Sequence, residues 1–242
     1  PFMSKVIEKL ILSQLTRYLT ANGLFPKFQS GFRRYHSTET AVLRVLSDIY
    51  SAIDQDQVSL LALLDVSAAF DTVDHGILLE RLSTSYGLSG LTYTWLESYI
   101  TGRAQIIHVG SRHSPPSKVL YGVPQGSVLG PVLYILYTSD VARLVEALGL
   151  GGHLYADDTQ LYGHCSPGNS FELASRVLRA IDSIHEWMSS NRLSLNTGKT
   201  QFIWLGTKHS VAKRDADRLF SLLPSLTELS SMRNLGFIID QE

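Results

Sequence analysis

The chain has 242 residues, 44% of them hydrophobic, and a formal net charge of −1. This composition excludes a disordered tail and predicts a globular protein with one large domain or two closely joined lobes. A single cysteine, Cys165, excludes an internal disulfide framework and fits a reducing, intracellular compartment, with nucleus and cytoplasm both open. No apolar run approaches the length of a membrane span, so we expect no membrane partner. The neutral charge gives no global signature of nucleic-acid binding, so any basic surface must be local.

The first half of the chain predicts four helices and two strands from its apolar spacing. In chain order these are a helix at about 4–21, a helix capped by Ser37, a strand at 58–64, helices at 75–84 and 91–101, and a strand at 105–109 that ends at Gly110. The apolar run at 58–64 lacks alternation, which predicts a strand covered on both faces.

The second half predicts a helix, a hairpin, another helix and two strands. The helix at 127–148 tolerates Gly130-Pro131 because proline is accepted in a first turn. A hairpin at 153–163, a helix at 170–190 and strands near 201–205 and 234–239 follow. This order predicts an α+β fold, a mixed sheet with helices packed on one face.

Three aspartates, Asp65, Asp157 and Asp158, are candidates for a divalent-metal site. Tyr155-Ala156-Asp157-Asp158 has the pattern of a strand, a tight turn and a strand, and Asp65 closes the apolar run of the earlier strand. Adjacent central strands would bring the three carboxylates together, and such a cluster is costly unless cations neutralise it. Carboxylate oxygens suit Mg²⁺ or Mn²⁺. Taken alone, however, an Asp-Asp pair is as often a solvated turn.

A series of motifs resembles those of a reverse transcriptase. Motif A resembles Asp65-Val66-Ser67-Ala68-Ala69-Phe70, and motif B resembles Tyr121-Gly122-Val123-Pro124-Gln125-Gly126-Ser127. Motif C resembles Tyr155-Ala156-Asp157-Asp158. Motif D resembles Leu195-Asn196-Thr197-Gly198-Lys199-Thr200, and the primer-grip motif E resembles Asn234-Leu235-Gly236-Phe237. Upstream, Gln29-Ser30-Gly31-Phe32-Arg33 and Ser37-Thr38-Glu39-Thr40-Ala41 resemble the fingers of non-LTR (LINE) retrotransposon enzymes. The segment Phe70-Asp71-Thr72-Val73-Asp74-His75 is most similar to the jockey-like branch. The motifs keep their order over nearly the whole chain, which makes the resemblance specific.

The resemblance implies an RNA-directed DNA polymerase with a right-hand fold. The palm would span about 58–75 and 127–242, and the fingers about 1–57 and 76–126. The partners would be an RNA template, a DNA primer and deoxynucleoside triphosphates (dNTPs). The resemblance also implies that a thumb and an endonuclease region lie outside this chain, which would weaken its grip on primer and template.

The resemblance also assigns a metal site and a proton donor. Asp65 and Asp157 would bridge two Mg²⁺ or Mn²⁺ ions, Asp158 would complete the acidic cluster, and the Val66 carbonyl would add an oxygen ligand. Lys199 would act as general acid on the departing pyrophosphate, although an exposed loop lysine is the simpler interpretation.

A nucleotide pocket and a primer grip complete the implied site. Phe70 would be a steric gate that excludes the ribose 2′-hydroxyl, although such a ring outside this motif is usually core. The implied dNTP contacts are Arg33, Ala68, Ala69, Gln125 and Gly126, with Arg34 and Lys27 as competitors of Arg33. The implied primer grip is Leu235, Gly236 and Phe237.

Two other functions stay open at this point. A decayed, non-catalytic remnant could fold and bind nucleic acid, although the intact set of acids, Phe70 and Lys199 argues against decay. An RNA-templated RNA polymerase shares the acidic palm, and Phe70 argues against it. Gln201 departs from the glutamate that related elements often have after motif D, which leaves the local geometry there open.

Overall fold

The computed structural model describes residues 2–222 and 229–241. Its helices are α1 (Phe2–Ala21), α2 (Thr38–Ile53), α3 (His75–Thr84), α4 (Gly90–Ile100), α5 (Gly130–Tyr137), α6 (Asp140–Ala147), α7 (Ser170–Ser190), α8 (Lys208–Ala212) and α9 (Ala216–Leu222). Its strands are β1 (Val58–Leu64), β2 (Val66–Ser67), β3 (Ala104–Gln105), β4 (His108–Val109), β5 (Arg112–His113), β6 (Ser117–Lys118), β7 (Gly151–Tyr155), β8 (Asp158–Cys165), β9 (Ser194–Leu195), β10 (Gln201–Leu205), β11 (Ser231–Asn234) and β12 (Phe237–Asp240). Short 3₁₀ turns occupy Pro167–Asn169 and Thr197–Lys199. None of the described helices combines the length and the apolar character that a bilayer span requires.

The chain divides into two compact units. The first comprises residues 1–26, 68–139 and 191–193, and the second comprises residues 27–67, 140–190 and 194–242. The first unit is mainly helical, with α3 packed against both α4 and α5. The second unit contains a four-stranded sheet in the order β10-β1-β8-β7.

The sheet of the second unit is antiparallel at every pairing, so the predicted mixed sheet is wrong. The parallel contact at its border, among the described residues, is an isolated bridge between Gln29 and Leu154. The prediction that the two acidic segments lie on adjacent central strands is confirmed, because β1 and β8 occupy the middle of the sheet. Short connections suffice for antiparallel neighbours, and the two-residue turn between β7 and β8 is such a connection.

Helices cover both faces of this sheet, which corrects the expectation of helices on one face. On one face Leu61 and Tyr162 join a cluster with Val45 and Ile49 of α2. On the other face Gly163 lies so close to α7 that a Cβ built there would be 2.7 Å from Leu173 Cδ1. The predicted burial of β1 on both faces is confirmed, because its apolar run at 60–64 presents apolar side chains to both helix layers.

Long periodic segments match their predicted bounds. Helices α1, α3 and α7 and strands β1 and β10 lie where the apolar pattern places them. Ser37 caps α2 as predicted, and a reciprocal bond between its backbone and the Thr40 side chain completes a capping box.

The predicted helix at 127–148 is wrong, because two helices occupy that segment. Helix α5 ends at Tyr137, where the Thr138 hydroxyl donates to Tyr134 O and the Ser139 hydroxyl donates to Leu136 O. These bonds satisfy carbonyls in the last turn of α5, and two residues separate this helix from α6. The proline after Gly130 lies in the first turn of α5, as predicted.

Two predicted strands are also broken. The strand expected at 105–109 is split into β3 and β4, which pair with β6 and β5 in two short ladders. The strand expected at 234–239 is a hairpin of β11 and β12, with Asn234 opposite Phe237 and Leu235-Gly236 as its turn. Gly236 suits a two-residue hairpin turn, but Leu235 before it is not a residue that favours positive φ, so the apolar pattern predicted a continuous strand.

Candidate active site

Two of the predicted acids lie at the same end of the second unit's sheet. Leu64 of β1 pairs with Thr159 of β8, so the residues next to them, Asp65 and Asp158, sit side by side at the end of the ladder. Both acids line a cavity of about 340 Å³. Lys199 and Leu235 line the same cavity, so residues from four separated segments of sequence meet there.

The third acid, Asp157, lies in the turn between β7 and β8. Tyr155 and Asp158 pair across this turn, and Ala156 has a φ of 58°. A left-handed φ is uncommon for any residue other than glycine, and its cost has to be offset by surrounding contacts. Asp157 is half-buried in this turn.

The electrostatics of the turn disfavour negative charge. Burial raises the pKa of Asp157, and the charge of Asp65 raises it further. Asp158 is open to solvent on one side, yet the protein packed around its carboxyl, together with the charges of Asp157 and Asp65, raises its pKa to about 6. Two carboxyls whose pKa values are raised by burial and by neighbouring carboxylates form a site that a cation would stabilise.

Asp65 already has a cationic partner. The Lys199 Nζ lies 3.1 Å from Asp65 Oδ2, and the Asn196 N–H donates to the Asp65 carbonyl over 2.8 Å. The 3₁₀ turn of Thr197–Lys199 therefore holds the lysine beside the end of β1. Among residues 2–222 and 229–241, no three His, Cys, Asp or Glu side chains are arranged so as to enclose a metal ion.

The predicted primer grip forms the tip of the β11–β12 hairpin. Leu235 and Gly236 both have positive φ, at 48° and 92°. A two-residue turn with two positive φ values matches the twist of the flanking strands, and a leucine in this conformation is strained. Leu235 lines the acidic cavity, and Phe237 is the first residue of β12.

The nucleotide-pocket residues expected around Phe70 lie in the first unit. The Phe70 ring packs on Tyr134 with ring centroids 4.7 Å apart, and the Val123 N–H donates to the Phe70 carbonyl over 2.9 Å. The Gln125 amide donates to both carboxylate oxygens of Asp71, each over 3.1 Å. Two motifs distant in sequence are thus joined by side-chain and backbone hydrogen bonds within this unit.

The other residues expected there lie in the turns beside these bonds. Ala68 is exposed with a φ of 47°, and Ala69 is buried. Gly126 has a φ of 70° and no atom within 4 Å of a Cβ built on it, so glycine is favoured there by backbone conformation and not by lack of space.

A comparison with protein families decides the identity of the chain. Residues 1–239 match the family described as reverse transcriptase (RNA-dependent DNA polymerase). The chain belongs to the reverse transcriptase family. Enzymes of this family are generally dependent on divalent metal ions.

Curated relatives of this reverse transcriptase domain come from insect mobile elements. It is 30% identical over 204 residues to the RNA-directed DNA polymerase from mobile element jockey of Drosophila funebris, a match that covers 82% of this chain and 22% of the relative. It is 35% identical over 203 residues to the probable RNA-directed DNA polymerase from transposon BS of Drosophila melanogaster, with the same coverage of 82% and 22%. The chain thus spans about a fifth of the length of these relatives.

Solved structures share the fold at low identity. Apo telomerase from Candida tropicalis, truncated from its C-terminal domain, matches with a TM-score of 0.65 at 14% identity, covering 96% of this chain and 44% of that one. Telomerase from Candida albicans in complex with a TWJ fragment of telomeric RNA matches with a TM-score of 0.61 at 14% identity, covering 99% and 38%. These matches confirm a mixed α/β fold that the chain shares with these telomerases.

Two further residues of this candidate site are not predicted by the sequence pattern. Arg233 of β11 lines the acidic cavity with Lys199, and nothing in the apolar pattern distinguishes it. Gln29 is buried against the Asp157 turn and bonds to Ala156. Gln29 lies inside the motif Gln29–Arg33, which could have indicated that it belongs to the site. The motif alone did not predict a role for the glutamine side chain.

Arg33, the predicted triphosphate contact, is partly buried. Its Nη1 donates to the Gln29 carbonyl over 2.9 Å. Burial lowers the pKa of Arg33. It does not line the acidic cavity, whose lining is drawn from 63–65, 158–159, 198–201 and 233–235.

Proposed function

We propose that this chain is the polymerase core of a LINE-type retrotransposon and copies RNA into DNA by nucleotidyl transfer from a dNTP to a primer 3′-hydroxyl. The observation that carries the proposal is the cavity at the end of β1 and β8. Asp65 and Asp158 line it from adjacent strands, together with Lys199 of one motif and Leu235 of another. In this assignment residues 58–75 and 127–242 form the palm, and residues 1–57 and 76–126 form the fingers.

The chemical type of the donors suits Mg²⁺ or Mn²⁺, although no three of the described carboxylates enclose a metal position as they stand. Asp65, Asp157 and Asp158, with the carbonyl of Val66, would supply the hard oxygen ligands that these ions prefer. Burial, together with the charges of neighbouring carboxylates, raises the pKa values of Asp157 and Asp158, and a bound cation would offset both effects. When bound, the two ions would supply Lewis-acid activation of the primer hydroxyl and neutralise the pyrophosphate leaving group.

The chain's own residues would hold and orient the reactants. Lys199 would donate a proton to the departing pyrophosphate if a cation took its place beside Asp65. Leu235, Gly236 and Phe237 would support the primer end, because the strained turn they form reaches the acidic cavity.

Selection of the nucleotide would depend on Phe70, whose ring would exclude a ribose 2′-hydroxyl. The remaining contacts to the nucleotide are proposed to be Arg33, Ala68, Ala69, Gln125 and Gly126. Guanidinium and backbone N–H groups suit phosphate oxygens, and glycine allows close approach of the backbone.

The proposed partners are an RNA template, a DNA primer and dNTPs. The names of the jockey and BS relatives support RNA-directed DNA synthesis. The telomerase with this fold that was solved with a piece of telomeric RNA supports an RNA partner.

Primer extension on an RNA template tests the proposal. Wild type, Asp157→Asn and the control Asp182→Asn, an exposed acid on α7, are compared with Mg²⁺ or Mn²⁺ and with deoxy- or ribonucleotides. We expect metal-dependent extension with deoxynucleotides by the wild type and the control, and a loss of at least about 1,000-fold in Asp157→Asn. Extension that is undiminished in Asp157→Asn, or absent in the wild type, would contradict the proposal.

A further inference from the structure

The Gln29 side chain holds the turn that carries Asp157. Gln29 is 2% exposed, and its Oε1 accepts the Ala156 N–H over 2.9 Å while its Nε2 donates to the Ala156 carbonyl over 3.2 Å. The same Oε1 accepts the Gly31 N–H over 2.7 Å. Two N–H groups point at one amide oxygen, so the orientation of the amide is determined by its partners.

The backbone around Gln29 lies against the same hairpin. The Ser30 N–H donates to Leu154 O, and the Leu154 N–H donates to Phe28 O, which extends the edge of β7 by a short parallel segment. A Cβ built on Gly31 would lie 2.3 Å from the Ala156 nitrogen. Only glycine fits at that distance, so the segment 28–31 is packed as closely as possible on the turn.

The turn needs such support for two physical reasons. Ala156 adopts a left-handed φ, which is unfavourable for a residue other than glycine unless surrounding contacts offset it. In addition, Asp157 and Asp158 repel each other and Asp65, which favours any movement that separates them. A buried neutral amide can satisfy both polar groups of Ala156 without adding charge to an acidic site.

We infer that Gln29 is a positioning residue, which fixes the Ala156 backbone and thereby the place of the Asp157 and Asp158 carboxylates relative to Asp65. The inference rests on the proposed polymerase function. Residues that orient metal ligands from behind typically change metal affinity or activity by about 10- to 100-fold when they are lost.

The test compares Gln29→Met with the matched control Ser30→Ala. Methionine keeps the length of the side chain and removes its hydrogen bonds to Ala156. Ser30 is the adjacent residue, 4% exposed, and its hydroxyl bonds to His153 Nε2 over 2.9 Å and not to the turn. Both variants lose a buried side-chain hydrogen bond to the same hairpin, so a general loss of stability affects both.

Three quantities are measured on wild type and both variants. The first is amide hydrogen exchange at Ala156, with Leu154 as internal reference because its N–H bonds to a backbone carbonyl. The second is Mn²⁺ affinity, followed by the paramagnetic relaxation of solvent water. The third is steady-state extension on an RNA template, resolved into kcat and KM for the dNTP.

We expect Gln29→Met to accelerate exchange at Ala156 at least about tenfold, leaving Leu154 within about threefold of wild type. Mn²⁺ affinity and kcat should each fall about 10- to 100-fold, with KM for the dNTP within about threefold. Ser30→Ala should leave all three readouts near wild type.

Several results would overturn the inference. Unchanged Mn²⁺ affinity and kcat in a folded Gln29→Met would do so, as would equal losses in Ser30→Ala. If the Ala156 amide of the wild type exchanges as fast as an unprotected amide, the inference is also wrong, because Gln29 then does not hold this N–H. This result does not depend on whether the variant folds. Failure of the proposed function is distinguishable, because it would appear as absent extension by the wild type, while exchange and Mn²⁺ binding would still report on Gln29.

Discussion

The Lys199 ammonium lies 3.1 Å from a carboxylate oxygen of Asp65, so the proposed proton donor is bound to a proposed metal ligand. The Lys199 side chain is 69% exposed and that of Asp65 is 35% exposed. A solvated pair of this kind contributes at most about 1 kcal/mol. The Lys199–Asp65 ion pair should therefore lower the affinity of Asp65 for a metal ion slightly, without preventing the ion from binding.

Removal of this lysine should separate metal binding from chemistry. In Lys199→Gln we expect Mn²⁺ affinity to rise about two- to fivefold, because the cation no longer displaces an ammonium. The rate of the chemical step should fall about 100-fold, because the pyrophosphate loses its proton donor. Titration with Mn²⁺ and single-turnover extension measure the two effects.

Arg233→Gln is the matched control for that experiment, since it removes another cation from the lining of the same cavity. The chemical step should be nearly unchanged in this variant. If the two variants lost activity equally, general charge in the cavity, and not the Lys199 ammonium, would be responsible.

Phe70 should control the choice of sugar. We expect Phe70→Ala to reduce the preference for deoxynucleotides at least about tenfold, because the proposed steric clash with the 2′-hydroxyl is lost. The variant should also lose about 2–4 kcal/mol of stability, because the ring packs on Tyr134. The ratio of kcat/KM values for a dNTP and its ribonucleotide gives the preference.

Val73→Ala tests whether destabilisation alone relaxes that preference. Val73 is fully buried in the same unit, so its truncation should reduce stability. An unaltered sugar preference in Phe70→Ala, or an equally reduced one in Val73→Ala, would contradict the role of Phe70 as a gate.

Glu8 should stabilise the beginning of α5. One of its carboxylate oxygens accepts the N–H groups of Val128 and Leu129, over 2.6 and 3.3 Å, and Glu8 is buried at 6% exposure. These N–H groups have no partner within the helix, and a carboxylate also suits the positive end of the helix dipole. We expect Glu8→Leu to reduce the free energy of unfolding by about 2–3 kcal/mol and Glu8→Gln by about 1 kcal/mol.

Urea denaturation at pH 7 measures both losses, with the exposed Glu80→Gln as control within about 0.5 kcal/mol of wild type. A Glu8→Leu variant as stable as wild type would show that the two hydrogen bonds contribute nothing net.

His153 should make stability depend on pH. Burial lowers the pKa of His153 to about 4, and the positive charge of Arg44 adds to this effect. The unfolded histidine takes up its proton near pH 6.5, above the folded one, so this contribution is complete above pH 6.5 and is lost progressively as the pH falls towards 4. Between pH 7.5 and 5 we expect a loss of about 2 kcal/mol from this residue.

The difference between wild type and His153→Leu isolates that contribution from other titrating groups. Urea denaturation at several pH values should give a shallower acid loss in His153→Leu, whereas the exposed His185→Gln should follow wild type. Parallel curves for wild type and His153→Leu would contradict the prediction.

The local sequence pattern was sufficient to predict the bounds of an element where its apolar residues recur with one clear spacing. The bounds of α7 and β10 coincide with those predicted from apolar spacing, and the Ser37 cap is where its hydroxyl places it. The apolar spacing gave wrong bounds where the chain ends a helix or turns inside an apolar stretch. Helix α5 ends at Tyr137 inside an apolar stretch, and positive φ at Leu235 and Gly236 folds a predicted strand into a hairpin.

The sequence by itself determined the family, the three acids and their delivery by neighbouring strands, because motif order and the apolar run before Asp65 are local features of one chain. Only the tertiary structure decided what surrounds those acids. Helices on both faces of the sheet, Lys199 on Asp65, and Gln29 on Ala156, a contact across 127 residues of chain, all depend on individual side chains meeting at a distance. Such pairings leave no period in the sequence, because a hydrogen bond or an ion pair needs one residue on each side and no repeating pattern around it.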